Sequence, residues 1–159
     1  MRVGFGYDLH PLVEGRPLVL GGISIPSDKG LMGHSDADVL CHAIADGLLG
    51  AAALGDIGEH FPDTDPIYKN ASSVDLLNRV GQKVNQAGYW IQNIDSTIVA
   101  EAPKLQSHKS AMIKKIAAAL DIDPGIVSVK ATTHEGLGPV GQGEAIVAYA
   151  LVSIEEKTK

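Results

Sequence analysis

A chain of 159 residues with 45% hydrophobic content can fill one core without disulfide staples, and its one cysteine, Cys41, has no internal partner. A formal charge of −6 with 4% aromatic residues argues against a nucleic-acid surface, which needs a basic face and stacking platforms. No run is apolar for long enough to span a bilayer and Met1 to Asp8 lacks the apolar core of a secretory signal, so the expectation is one domain over residues 1–159, cytoplasmic, with neither nucleic acid nor membrane as partner.

In chain order, residues 2–9 and 17–25 are β-branched or apolar segments broken by glycine, which predicts two strands joined by a turn around Glu14, Gly15 and Arg16. Gly30 to Gly33 reads as a loop. Ser35, with Asp38 three residues on, predicts an N-cap and a helix running to about Leu54. Leu40, Ile44 and Leu48 make its apolar stripe, whereas Asp38, His42 and Asp46 fall on a different face. The loop from Gly55 to Ala71 is too long to be a plain connector. Ser72 with Asp75 opens a second helix whose buried stripe is Leu77, Val80, Val84 and Ala87, with Gly88 at C′. Residues 90–101 alternate as a strand, and Met112, Ile113, Ile116, Ala117 and Leu120 mark a third helix. Strands follow near 126–133 and 144–154, the last presenting Ile146, Ala148, Ala150, Val152 and Ile154 on one face. This order predicts an α+β fold, an α/β sandwich with a mixed sheet of about four main strands and helices on one face. Self-association would cover the other face.

Asp8 and His10, two apart at a strand end, share one side, and His42 comes from the polar stripe of the helix. Two histidines and one carboxylate leave a tetrahedral zinc one open position. A chance Asp-x-His pair beside a half-buried histidine is the competing reading. Gly33 to Asp38 gathers His34 and two acids at a helix start, where N–H groups favour an anion; a plain helix cap explains the same residues. Asp56, Glu59, Asp63 and Asp65 in the 55–65 loop suit hydroxyls or metals, or are simply solvated. Thr132, Thr133, His134 and Glu135 end a strand, and Glu135 suits a hard cation such as Mg²⁺ or else an exposed strand end. Ala100 to Gln106 carries Lys104, usable for a phosphate; a surface loop is the alternative. The glycine-rich stretch 136–143 lacks the Lys and Ser/Thr of a phosphate-binding P-loop and precedes a strand, which rejects that motif.

Gly6 to His10, Gly33 to Asp38 with His42, Leu49 to Gly58, Phe61 to Asp65, Ala102 to Lys104 and Lys130 to Thr133 together resemble the 2-C-methyl-D-erythritol 2,4-cyclodiphosphate synthase family, in family order and over nearly the whole chain. The resemblance implies a homotrimer packed through its sheets, with active sites between subunits. It also implies a lyase of isoprene biosynthesis by the non-mevalonate pathway. Such an enzyme converts 4-diphosphocytidyl-2-C-methyl-D-erythritol 2-phosphate, a small cytidine-diphosphate substrate, to the cyclic diphosphate and CMP.

By position the resemblance makes Asp8, His10 and His42 ligands of one Zn²⁺ per subunit, and Glu135 a ligand of Mg²⁺ or Mn²⁺ at the substrate diphosphate. His34 and Thr133 become the transition-state stabilisers. Substrate contacts fall to Asp8, His10, His34, Ser35, Asp56, Ile57, Gly58, Phe61, Pro62, Asp63, Thr64, Asp65, Ala100, Pro103, Lys104, Leu105, Gln106, Thr132, Thr133, Glu135 and Gln142. Two positions depart from the family pattern: Pro139 and Gln142 stand where many members carry Phe and Arg, and Gln142 cannot pair with a diphosphate as a guanidinium does. Weak or absent binding of an isoprenoid diphosphate in the trimer-axis cavity is therefore expected. A zinc hydrolase and a binding module with structural zinc are the two other readings of these residues.

Overall fold

Arg2–Glu14 forms β1, which alternates small residues with large ones: Val3, Phe5, Tyr7 and Leu9 point out to solvent, and Gly4 and Gly6 point in. The computed structural model describes residues 1–157. The 17–25 segment is not one strand but a hairpin, β2 (Leu18–Leu20) against β3 (Ile23–Ile25). Gly21 and Gly22 turn the chain in the left-handed region, with φ of 58° and 72°, and both of their N–H groups donate to the Asp38 carboxylate. The expected loop at Gly30 is a short strand, β4 (Lys29–Leu31), paired along the distal half of β1, which continues past residue 9.

Helix α1 is Val39–Ala52, and its N-cap is Asp38 rather than Ser35. Ala37 sits at φ 57°, which takes the chain out of any helical path before Asp38, and Asp38 then accepts from the N–H groups of Leu40 and Cys41. One fully buried carboxylate thus satisfies four backbone donors and ties the hairpin to the helix start. The 55–71 loop contains one helical turn, α2 (Ile57–His60), and a 3₁₀ turn at Pro66–Tyr68. Helix α3 (Ser73–Gln86) is capped by Ser72 and followed by Gly88 at φ 91°, as expected. Leu76 joins its buried stripe, whereas Ala87, past the last turn, is exposed.

β5 (Tyr89–Val99), α4 (Lys109–Leu120) and β6 (Val127–Thr132) make a parallel crossover. A single turn, α5 (Gly138–Gly141), lies inside the glycine-rich stretch 136–143, and β7 (Ala145–Glu156) closes the order. The sheet reads β4-β1-β7-β5-β6, with β7 antiparallel to both β1 and β5. It is therefore a mixed sheet of four main strands plus the short β4, with α1, α3 and α4 on one side.

Helix α1 packs directly on β1 and β7, α3 packs on α1, and α4 packs against α3 and β6. The approach to β1 is backbone on backbone: a Cβ at Gly6 would lie 1.8 Å from the Ala43 carbonyl oxygen, and one at Gly4 1.9 Å from that of Gly47. Only glycine permits it. The opposite face of the sheet is apolar and open. Phe5 (62% exposed) and Tyr7 stand beside Tyr149 and Leu151 (50% exposed), with the Tyr7 and Tyr149 rings 5.4 Å apart.

Candidate functional site

Asp8 and His10 lie on the side of β1 that carries Gly4 and Gly6, the side facing α1, and His42 arrives from the first turn of that helix. The three predicted ligands come together. Asp8 Oδ2 is 2.9 Å from His42 Nδ1 and 3.1 Å from His10 Nε2, and one ligand atom from each residue falls within 4.8 Å of the others. Burial works against the charge on Asp8, but hydrogen bonds and charge interactions with the two imidazoles outweigh it and hold the carboxyl well below the usual carboxylate range. For His10, burial favours the neutral ring, yet the Asp8 carboxylate prevails and raises its pKa.

The donor set fits a divalent metal. His10 Nδ1 is 2.6 Å from the Met32 carbonyl oxygen, an acceptor only, so Nδ1 carries the proton and donates. In the neutral ring the Nε2 lone pair faces Asp8 Oδ2, so either a proton, as in the ion pair that raises the pKa of His10, or a cation must lie between them. Two histidines with one carboxylate leave such a cation an open coordination position.

The neighbouring segments build a cavity of about 470 Å³ around this cluster, lined also by His34, Ser35, Ile57, Gly58, Phe61, Pro62 and Asp63. Arg16 donates to the carbonyls of Gly33 and Ser35, at 3.2 and 2.8 Å, and so fixes the loop that presents His34. Asp46, one turn beyond His42, accepts from the Ile57 N–H at 2.8 Å and ties α2 to the wall. Its burial, with the charges of Asp56 and Asp8, raises its pKa. Asp56 and Asp65 are used as backbone caps, accepting from Glu59 and Ile67, and with Thr64 they stand outside the cavity lining.

A second, smaller cavity of about 210 Å³ gathers Ala100, Glu101, Pro103, Lys104, Leu105, Gln106, Thr132 and Thr133. The Ala100 N–H donates to the Thr132 carbonyl, and Glu101 Oε1 accepts from the backbone N–H groups of His134 (2.7 Å) and Gly136. Those bonds hold a tight turn with Glu135 at φ 52°, in which the Thr133 hydroxyl donates to Glu135 Oε1 at 3.0 Å. The two cavities share no lining residue, so His34 and Thr133 belong to different ones. Glu135 is outside the three-residue ligand cluster, and Gln142, at the end of α5, lines neither cavity.

Sequence reasoning passed over Arg16, read only as a turn residue, and gave Glu101 no role. Both act by holding backbone carbonyls or N–H groups far away in sequence, a use that leaves no local pattern.

The chain matches the model of the YgbB family over residues 1–155. It is 59% identical over 155 residues to a 2-C-methyl-D-erythritol 2,4-cyclodiphosphate synthase of Desulfatibacillum aliphaticivorans, covering 98% of this chain and 100% of that one. Among solved structures it resembles the bifunctional IspDF of Campylobacter jejuni (TM-score 0.94, 45% identity), with 98% of this chain matched and 42% of that longer one spanned. It also resembles the IspF of Plasmodium falciparum in complex with CDP (TM-score 0.86, 34% identity, 99% and 97% covered).

Proposed function

The chain belongs to the YgbB family, and from that membership we propose that it is a 2-C-methyl-D-erythritol 2,4-cyclodiphosphate synthase, a cyclising lyase of the non-mevalonate isoprenoid pathway. Its substrate is 4-diphosphocytidyl-2-C-methyl-D-erythritol 2-phosphate, and its products are the cyclic 2,4-diphosphate and CMP. The observation that carries this reading is the convergence of the Asp8, His10 and His42 cluster with His34 and the Gly58 to Asp63 wall in one cavity.

The 2-phosphate of the substrate is the nucleophile, and it displaces CMP from the β-phosphorus. The protein therefore supplies no nucleophile of its own and works by folding the substrate. An aligned intramolecular attack has an effective molarity that reaches about 10⁵ M. Asp8, His10 and His42 would hold zinc, which when bound neutralises phosphate oxygens as a Lewis acid. Glu135 would hold Mg²⁺ or Mn²⁺, a hard cation that shares a carboxylate with phosphate oxygens. His34 donates to the oxygens on which charge develops, and so does the Thr133 hydroxyl once it turns from Glu135 to the substrate. The erythritol hydroxyls lie against Ile57, Gly58 and the Phe61 to Asp65 segment, and Asp56 holds that wall through its cap.

Cytidine fits the second cavity, where Leu105 and Pro103 give an apolar floor and Lys104 faces the phosphates. Because His34 and Thr133 line separate cavities of one chain, a complete site joins the metal cavity of one subunit to the nucleoside cavity of the next. A homotrimer packed through the open sheet face around Phe5, Tyr7, Tyr149 and Leu151 accomplishes this. We read the chain as one such domain per subunit, working in the cytoplasm. No helix among the described residues is long and apolar enough to cross a membrane. Gln142 lacks the charge to hold an isoprenoid diphosphate at the trimer axis.

Incubation with the cytidine-diphosphate substrate and Mg²⁺, followed by ³¹P NMR with and without a zinc chelator, tests the reading. Paired doublets of a cyclic diphosphate with free CMP, lost on chelation, are expected. Linear phosphates would instead mark a hydrolase, and unchanged substrate a binding protein.

A further inference from the structure

Ser73, the first residue of α3, carries a hydroxyl and is nevertheless 1% exposed. Ser72 already caps the helix, accepting from the Asp75 N–H, so Ser73 is not needed for that. Its Oγ lies 2.8 Å from His42 Nε2 on one side and bonds Asp36 Oδ1 on the other. Its backbone N–H donates to Asp36 Oδ2 at 3.1 Å, so both oxygens of that carboxylate are turned to Ser73. The Asp38 N–H, 3.3 Å from Asp36 Oδ1, holds the carboxylate from the opposite end.

Donor counting fixes the protons. A carboxylate accepts only and a serine hydroxyl has one proton to give, so that proton goes to Asp36. Ser73 Oγ then offers His42 nothing but lone pairs, and His42 Nε2 must carry the hydrogen. With Nε2 protonated, Nδ1, 2.9 Å from Asp8 Oδ2, is the nitrogen left to face the ligand cluster, where either a proton shared with that carboxylate or a metal fills the contact. Ser35 Oγ takes the Ala37 N–H and, with its own proton given to Ser73 Oγ at 3.4 Å, stands as a weaker acceptor 3.3 Å from the same Nε2.

We propose that Asp36 and Ser73 form a positioning relay that locks His42 in its Nε2–H tautomer and aims Nδ1 at the metal. Metal affinity in this protein would then depend on two side chains that touch neither metal nor substrate, as expected of groups that orient a ligating imidazole from behind. The inference rests on reading Asp8, His10 and His42 as a metal site. It adds that the ligand from α1 is set by the start of α3, a helix 31 residues further along the chain.

The test is zinc titration against a chromophoric chelator, with ¹⁵N–¹H NMR of the imidazoles, on the wild type, Ser73→Ala and Asp36→Asn. The wild type is expected to bind zinc with His42 ligating through Nδ1 and a protonated Nε2. Ser73→Ala should weaken zinc about 10- to 100-fold with the fold retained by circular dichroism. Asp36→Asn keeps the shape but can turn an amide N–H toward Ser73 Oγ; the hydroxyl is then freed to donate to Nε2, and His42 should shift toward its Nδ1–H tautomer with weaker zinc. Wild-type affinity in both variants would overturn the relay, as would zinc on Nε2 of His42 in the wild type, a result that needs no variant. If the wild type binds no zinc at all, it is the metal site itself that fails.

Discussion

The two cavities are built on opposite plans. The cavity proposed for the metal draws its polar groups and their supports from four separate elements: Asp8 and His10 from β1, His42 from α1 with Asp46 behind the wall, His34 from the loop before α1, and Ser73 of α3 behind His42. The cavity proposed for the nucleoside is assembled mainly from two adjacent strand ends, the 100–106 loop after β5 and the 131–133 end of its parallel neighbour β6. The first is a set of side chains whose protons and lone pairs are assigned by buried partners. The second is shaped largely by backbone, with Glu101 binding N–H groups across the gap. A site for charge needs fixed dipoles and bare lone pairs; a site for a flat base needs a slot and accessible main chain. The contrast also separates chemistry from recognition, and each half can be broken alone.

The sharpest break is His42→Ala. It forfeits several kcal/mol of charge neutralisation, about three orders of magnitude in rate, with zinc lost from the purified protein. Circular dichroism should still show the wild-type fold, because the core around α1 does not use that imidazole; collapse of the fold would make the metal structural instead. His34→Ala and Thr133→Ala each should lower kcat about 100-fold while leaving zinc content at the wild-type level. Co-expressed in equal amounts, the two inactive chains should recover about a quarter of wild-type activity, the fraction of sites in a symmetric ring that join two intact halves. Recovery of nothing would place both residues of a site on one chain.

The pH response of the metal half has a sign that zinc should reverse. In the metal-free protein the raised pKa of His10 means that its pairing with Asp8 stabilises fully below the ordinary imidazole value of 6.5 and is lost as pH rises through the raised value. The lowered pKa of Asp8 keeps its side of the pair present above 3.8 and removes it only in stronger acid. With excess zinc, which requires His10 neutral, stability should instead climb over the same interval. Thermal unfolding at pH 6 and pH 8, with chelator and with zinc, reads both slopes; parallel slopes would refute the assignment. The smallest effect belongs to the nucleoside half. Lys104 is exposed, and Lys104→Ala should raise KM only a few-fold, by about 1 kcal/mol or less, with kcat and zinc unchanged.

Periodicity made the main helices and strands legible, and Asp8, His10 and His42 could be named because a two-residue step on a strand and the polar stripe of a helix are local patterns. The misreadings have one physical origin, a polar group serving a distant backbone. Asp38 looked like the third residue of a capping box, yet it caps the helix itself because Gly21 and Gly22 require its carboxylate and Ala37 turns the chain aside. The same hairpin explains why residues 17–25 are two strands. Ser73 drew no notice beside the capping Ser72, and nothing near it in sequence points to His42. No local pattern marked the division into two cavities, since Thr132 ends β6 and Asp8 and His10 lie within β1; only the family resemblance, which implied active sites between subunits, pointed to it.

Because Gly4 and Gly6 let the carbonyls of Gly47 and Ala43 rest on β1, no layer of side chains separates the strand bearing two of the proposed metal ligands from the helix bearing the third. The spacing of the ligands is thereby uncoupled from the packing of the interior. Exchanges among Leu48, Ile98 or Ile116 can drift through evolution, trading stability for stability, without stretching the coordination sphere. Heritable change in the metal chemistry has to pass through the two glycines, the ligands or the side chains that orient them.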